Sequence, residues 1–149
     1  MIVGWREWIA LPELGIKHIK VKVDTGARTS ALHAYYVEPF IKASQEWVRF
    51  GIHPLQKSKN FSIECTAPVV DRRVVTDSGG NKEKRYVIET LLSIGEVAWR
   101  TELTLTDRDT MKFRMLLGRT ALVGNFIVDP SASYLIGKKP KRVDLNTHL

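Results

Sequence analysis

The run His18-Ile19-Lys20-Val21-Lys22-Val23 alternates between polar and apolar residues and ends on Asp24-Thr25-Gly26. A period of two marks a strand with one face in a core and the other toward solvent. Asp24 therefore stands where a rigid element hands over to a loop, with Thr25 able to hydrogen-bond backbone and Gly26 free in its conformation. Asp-Thr-Gly is also ordinary turn composition, so the tripeptide alone does not separate a turn from a site. A second segment adds weight: Met115-Leu116-Leu117 is an apolar strand followed by Gly118-Arg119 and a short helix-like run from Arg119 to Gly124.

The rest of the chain reads as short strands. Ile2 to Ala10, Lys17 to Val23, Ser30 to Val37, Glu46 to Ile52, Phe61 to Ala67, Val97 to Leu105, Phe113 to Leu117, Phe126 to Val128 and Tyr134 to Ile136 are expected strands. Turn-forming residues separate several of them, with Pro39 at a turn or a sheet edge. Val69 to Thr76 and Lys84 to Leu92 flank Asp77-Ser78-Gly79-Gly80-Asn81, which predicts a long hairpin. Its stems carry Arg72, Arg73, Lys82, Lys84 and Arg85, so it is expected to project from the body. Many strands and one short helix predict an all-β domain, a closed or partly closed barrel, over residues 1–137. Residues 138–149, opening on Lys138-Lys139-Pro140-Lys141-Arg142, are expected to form a basic mobile tail.

Composition narrows the functional classes. A chain of 149 residues that is 44% hydrophobic and 26% charged can bury one domain's core. Its net charge of +7 admits an acidic protein, nucleic acid or an anionic surface as partner. The single Cys65 excludes an intrachain disulfide and falls on the apolar side of an alternating strand, as a small core residue does. No apolar stretch approaches the roughly 20 residues that span a bilayer. A cytoplasmic address is the simplest expectation, with a removed targeting segment left open.

Gly4-Trp5-Arg6-Glu7-Trp8, Leu11-Pro12-Glu13-Leu14-Gly15, the run from Val23 to Ala34, Leu105-Thr106-Asp107-Arg108 and Leu116-Leu117-Gly118-Arg119 together resemble one bacterial family. This is the family of retropepsin-like aspartic peptidases that carry the label ATP-dependent zinc protease, related to enzymes that trim glutamates added by ATP-grasp ligases. The resemblance implies a retropepsin-type barrel and a catalytic Asp24, with Thr25 hydrogen-bonding across a dimer and Gly26 admitting the backbone. It implies a flap at residues 77–81, which makes Ser78, Gly79 and Gly80 substrate-covering candidates. Gly118 and Arg119 match the segment that packs behind the active loop, a supporting role. Ala27, Arg28 and Thr29 continue the loop as substrate-binding candidates.

The chemistry of such a site needs two carboxylates. One group takes a proton from water while another donates one to the scissile carbonyl or the leaving amine. Two close carboxylates can share a proton and do both, the arrangement for which aspartic proteases are the reference case. With a single Asp-Thr-Gly, the chain is expected to act as a homodimer that brings two copies of Asp24 together. Viral retropepsins generally place an acid where this chain has Arg28; the reversal suits an acidic or glutamate-rich peptide, because guanidinium forks onto carboxylate. Arg28 could instead point to solvent or pair with an acid such as Glu7. Arg85 in the hairpin stem is a second candidate for substrate carboxylates.

His18, His33, His53 and His148 form no zinc-type spacing and Cys65 has no partner cysteine, so no metal site is expected. A nucleotide-binding glycine loop is absent too, so no cofactor is expected and any ATP would belong to a ligase partner. Two further readings stay open. The chain could be a non-catalytic module that binds an acidic partner. It could also bind nucleic acid through its basic tail with Lys42, Lys57 and Lys59, although no reader signature accompanies them.

Overall fold

The computed structural model describes residues 1–54, 61–76, 79–107 and 113–137. The expected basic tail, Lys57 and Lys59, Ser78, Arg108 and His148 lie outside the described residues. The elements in chain order are β1 (Ile2–Gly4), β2 (Arg6–Leu11), a 3-10 turn (Pro12–Leu14), β3 (Ile16–Val23), β4 (Ser30–His33), β5 (Tyr36–Lys42) and β6 (Gln45–Ile52). There follow β7 (Ile63–Pro68), β8 (Asp71–Thr76), β9 (Lys82–Ile94), β10 (Val97–Thr106), β11 (Met115–Leu117), α1 (Arg119–Leu122) and β12 (Ile127–Asp129).

Six strands close a barrel in the order β10-β4-β11-β3-β2-β9, the circuit completed by β9 pairing antiparallel with β10. The all-β barrel with one short helix is thus the observed architecture. Strand β8 adds to the outer edge of β9, and β5-β6-β7 form a separate sheet. Ile19, Val21 and Val23 point into the barrel beside Leu32, Leu103, Met115 and Leu117, while Phe50 and Ile52 of the smaller sheet join the same core. Burying each such side chain contributes about 1.5–3 kcal/mol before the entropy of ordering it is set against the gain. Cys65 belongs to that core; burial first, and the Glu64 charge second, push its thiol up to about 12. Among the described residues no helix is long and apolar enough to cross a membrane.

Four local expectations are corrected. The first strand is two strands, because the chain changes sheet at Trp5: β1 pairs in parallel with β12, whereas β2 enters the barrel against β3. The Trp5 N–H donates to Ala132 O at 2.8 Å, so a segment far along the chain ties down the crossing point. Ser30 to Val37 is likewise divided, with β4 in the barrel and β5 in the smaller sheet, and Pro39 lies within edge strand β5. Tyr134 to Ile136 forms no strand. The buried Glu7 carboxylate accepts the N–H groups of Leu135, Ile136 and Gly137 at 2.9, 3.1 and 2.8 Å, and that of Gly4 at 2.7 Å. Three consecutive amides turned onto one carboxylate cannot alternate as a strand requires.

The fourth correction concerns the hairpin. Its charged stems do not simply project: Arg72 pairs with Glu46 of β6, and Arg73 bonds Glu102 of β10 at 2.9 Å. Arg85 is only 8% exposed and holds Glu83 at 3.0 Å. Arg72 and Arg73 thus fasten β8 to β6 and β10, and Arg85 reaches Thr104 of β10.

Candidate active site

Strand β3 ends beside β11, the two running parallel with Val23 opposite Leu117. The pairing carries on for one bond past β3, since the Asp24 N–H donates to Leu117 O at 2.9 Å. Two chain segments, Asp24 onward and Gly118 onward, therefore leave the barrel side by side. The turn closes on itself where the Ala27 N–H donates to Asp24 O at 3.2 Å and the Gly26 N–H donates to Asp24 Oδ1 at 2.9 Å. Among the described residues that amide is the carboxylate's hydrogen-bond donor, which leaves Oδ2 for other chemistry.

Gly118 and Arg119 hold this loop from behind. The Arg119 and Thr120 N–H groups donate to the carbonyls of Ala27 and Arg28 at 2.8 and 3.0 Å. The Arg119 guanidinium reaches the carbonyls of Thr25 and Gly26 through Nη1, at 3.0 and 3.2 Å. Gly118 is needed for close approach: a Cβ there would lie 2.6 Å from the Thr29 carbonyl carbon. Its N–H donates to the buried Ser30 Oγ at 3.0 Å. Arg119 is thus occupied with backbone, in keeping with support of the loop.

A cavity of about 870 Å³ opens between this loop, the barrel wall and the hairpin. Asp24, Gly26, Ala27, Arg28 and Thr29 line it from the loop, Glu102 and Thr104 from β10, and Arg73 to Thr76 with Arg85 from the hairpin. Thr25 is exposed at the loop's tip and, like Gly79 and Gly80, lies outside the lining set. Gly80 takes a left-handed turn, φ +84°, in the connection between β8 and β9.

Arg28 is exposed, and among the described residues no hydrogen bond or ion pair engages its guanidinium. Pairing with Glu7 is ruled out by that carboxylate's burial and its four amide bonds. The hairpin arginines, by contrast, are engaged. Arg73 donates through Nε to Asp71 Oδ2 at 2.7 Å and also pairs with Glu102, while Arg85 adds a contact to Thr104 Oγ1 at 3.4 Å. Hydrogen bonds from the Arg73 side chain first, and from the Arg72 backbone N–H second, hold the Asp71 carboxyl below its usual range. Asp71 and Glu102 in turn push the Arg73 guanidinium up.

Arg73, Glu102 and Thr104 were missed as site residues from sequence. Counting back from the turn would have found Arg73, since Thr76 opposite Lys82 places Arg73 opposite Arg85.

Comparison with known proteins agrees with this geometry. The profile of the RimB-like family, described as retropepsin-like aspartic endopeptidase RimB, matches residues 2–139. A protein of Shewanella pealeana named probable alpha-L-glutamate ligase is 49% identical over 138 residues, 93% of this chain and 30% of that protein. A protein of the same name from Desulfotalea psychrophila is 44% identical over 140 residues, 94% of this chain and 30% of the relative. The chain thus spans under a third of the curated relatives it matches. The crystal structure of Lpg0085, a Legionella pneumophila protein of unknown function, superposes with a TM-score of 0.75 over 90% of this chain and 96% of that one, at 24% identity, and shows the same fold. A barrel that delivers Asp-Thr-Gly beside Gly-Arg, matched by the family profile along nearly all of its length, places this chain in the RimB-like family of retropepsin-like aspartic endopeptidases.

Proposed function

We propose that two copies of this chain form a cytoplasmic aspartic-type peptidase acting on acidic, glutamate-bearing peptides. The observation that carries the reading is the Asp24 carboxylate: it lines a cavity of about 870 Å³ with Oδ1 held by Gly26 and, among the described residues, Oδ2 uncommitted. In the proposed step, one Asp24 carboxylate takes a proton from water as the oxygen attacks the scissile carbonyl. The second copy's Asp24, protonated, donates to the carbonyl oxygen, and the proton passed to the amine lets the C–N bond break. The exposed tip at Thr25 and Gly26 suits a meeting of two loops about a twofold axis.

Arg28, unpaired among the described residues, would take a substrate carboxylate near the scissile bond, with Arg85 a second cation in the wall. Ala27 and Thr29 would border the peptide, and the turn with Ser78, Gly79 and Gly80 would cover it. The relatives' names support a glutamate ligase as the source of such peptides and as a functional partner. Neither a resident metal nor a cofactor has a part in this chemistry.

Incubation with glutamate-rich peptides followed by mass spectrometry tests the reading. Cleavage by wild type and none by Asp24→Asn is expected; equal cleavage by both would refute it. A second reading has its own support, for the matched segment is about 30% of each ligase relative and could serve there as a binding module. It predicts no cleavage by wild type and an acidic-peptide affinity that Asp24→Asn leaves unchanged.

A further inference from the structure

Arg73 and Arg85 occupy directly opposite positions in the β8–β9 ladder. Directly opposed residues of antiparallel strands share a face with Cα atoms about 5 Å apart, and like charges so placed repel. Both side chains line the cavity that contains Asp24. A pair of like charges is here set beside the proposed reaction centre, with three carboxylates arranged around it.

Those carboxylates orient the two forks. Arg73 bonds Asp71 through Nε and Glu102 through Nη2; Arg85 bonds Glu83 through Nε and Thr104 through Nη1. Thr104 is itself positioned, its hydroxyl donating to Ser30 O at 3.2 Å. Among the described residues these contacts use Nε and Nη2 of Arg73 and Nε and Nη1 of Arg85, leaving Nη1 of Arg73 and Nη2 of Arg85 outside them. A guanidinium whose rotamer is fixed by neighbouring acids loses less entropy when it binds another carboxylate.

We infer that Arg73 and Arg85 together form a second carboxylate receptor in the hairpin, so that the site grips two acidic side chains of one peptide, one at Arg28 and one at this pair. The inference rests on the peptide-site reading above and names Arg73 as a specificity-determining residue. A peptide with one carboxylate satisfies Arg28 alone. A peptide with two neighbouring carboxylates meets both receptors, so preference rises with the number of acids rather than with the presence of one.

The test reads binding, in the Asp24→Asn background, by fluorescence anisotropy of labelled peptides containing Glu-Glu or Glu-Gln. This background keeps peptides intact, so failure of the peptidase reading leaves the measurement standing. The parent is expected to prefer Glu-Glu, and Arg73→Gln and Arg85→Gln each to weaken Glu-Glu binding by about tenfold or more, the scale of a charged hydrogen bond. Glu-Gln affinity should stay put. Glu102→Gln separates recognition from fastening: it cuts the same ion pair but keeps the cation, and should preserve or raise Glu-Glu affinity. Equal binding of the two peptides by the parent, unchanged Glu-Glu binding in Arg73→Gln, or a loss in Glu102→Gln matching that in Arg73→Gln would overturn the proposal. Should the buried Arg85→Gln protein fail to fold, Arg73→Gln and Glu102→Gln decide the matter alone.

Discussion

Glu7, near the start of β2, and Asp24, just past the end of β3, carry the same functional group at one end of an antiparallel strand pair, and their surroundings differ. Glu7 is fully buried, and four backbone amides from Gly4 and residues 135–137 converge on its two oxygens. Every lone pair has a donor, so the carboxylate has no oxygen to offer a substrate. It works as a knot joining the start of β2 to the segment after β12. Asp24 is half-buried, has its amide donor on one oxygen, and borders a cavity with the other. On the proposed reading, the difference between a structural and a chemical carboxylate lies in how many donors the fold commits to it.

Substitutions at the two positions should therefore separate activity from stability. Asp24→Asn should lower cleavage by at least about 10³-fold, within the range of general acid–base catalysis. Its melting temperature should move little, since one exposed-loop hydrogen bond is at stake. Glu7→Ala should do the reverse: stranding several buried amides at about 1–3 kcal/mol each should destabilise the fold by about 3 kcal/mol or more in urea unfolding. Activity per folded molecule should persist. A Glu7→Ala protein with normal stability, or an Asp24→Asn protein that unfolds early, would break the contrast.

Smaller effects sharpen it. Gly118→Ala sits between the two cases, because the added methyl would meet the Thr29 carbonyl and push the Asp24 loop. A loss of about 1–3 kcal/mol, typical of overpacking, should come with reduced cleavage, the two measured on the same preparation. Least affected should be Cys65. With its thiol buried and pushed up to about 12, iodoacetamide at pH 8 should label native protein only as fast as it unfolds. Rapid labelling without unfolding would contradict the core placement.

The strands with alternating residues were legible because burial there depends on near neighbours in sequence. Ile19, Val21 and Val23 could face only one way once β3 paired, and Asp24 followed from where that alternation stopped. Glu7 was not legible as a knot: all its partners but Gly4 lie some 130 positions away, and no local pattern marks a carboxylate that will collect distant amides. Tyr134 to Ile136 was misread for the same reason, its apolar residues resembling a strand until Glu7 claimed their amides. In the hairpin, Arg72 and Arg73 read as charges of a projecting stem because their partners Glu46 and Glu102 sit on other strands. Local pattern reports which face is apolar; long-range pairing decides which charges are used.

The central claim is that catalysis needs Asp24 from two chains at once, and mixing wild type with Asp24→Asn tests it most directly. The proteins would be exchanged through unfolding and refolding at fixed total concentration, and cleavage of a glutamate-rich peptide followed by mass spectrometry. A shared dyad makes every mixed dimer inactive, so an equal mixture should retain about one quarter of the wild-type rate, the fraction of dimers with two intact copies. A rate of about one half, linear in the wild-type fraction, would mean that each chain works alone and would contradict the account.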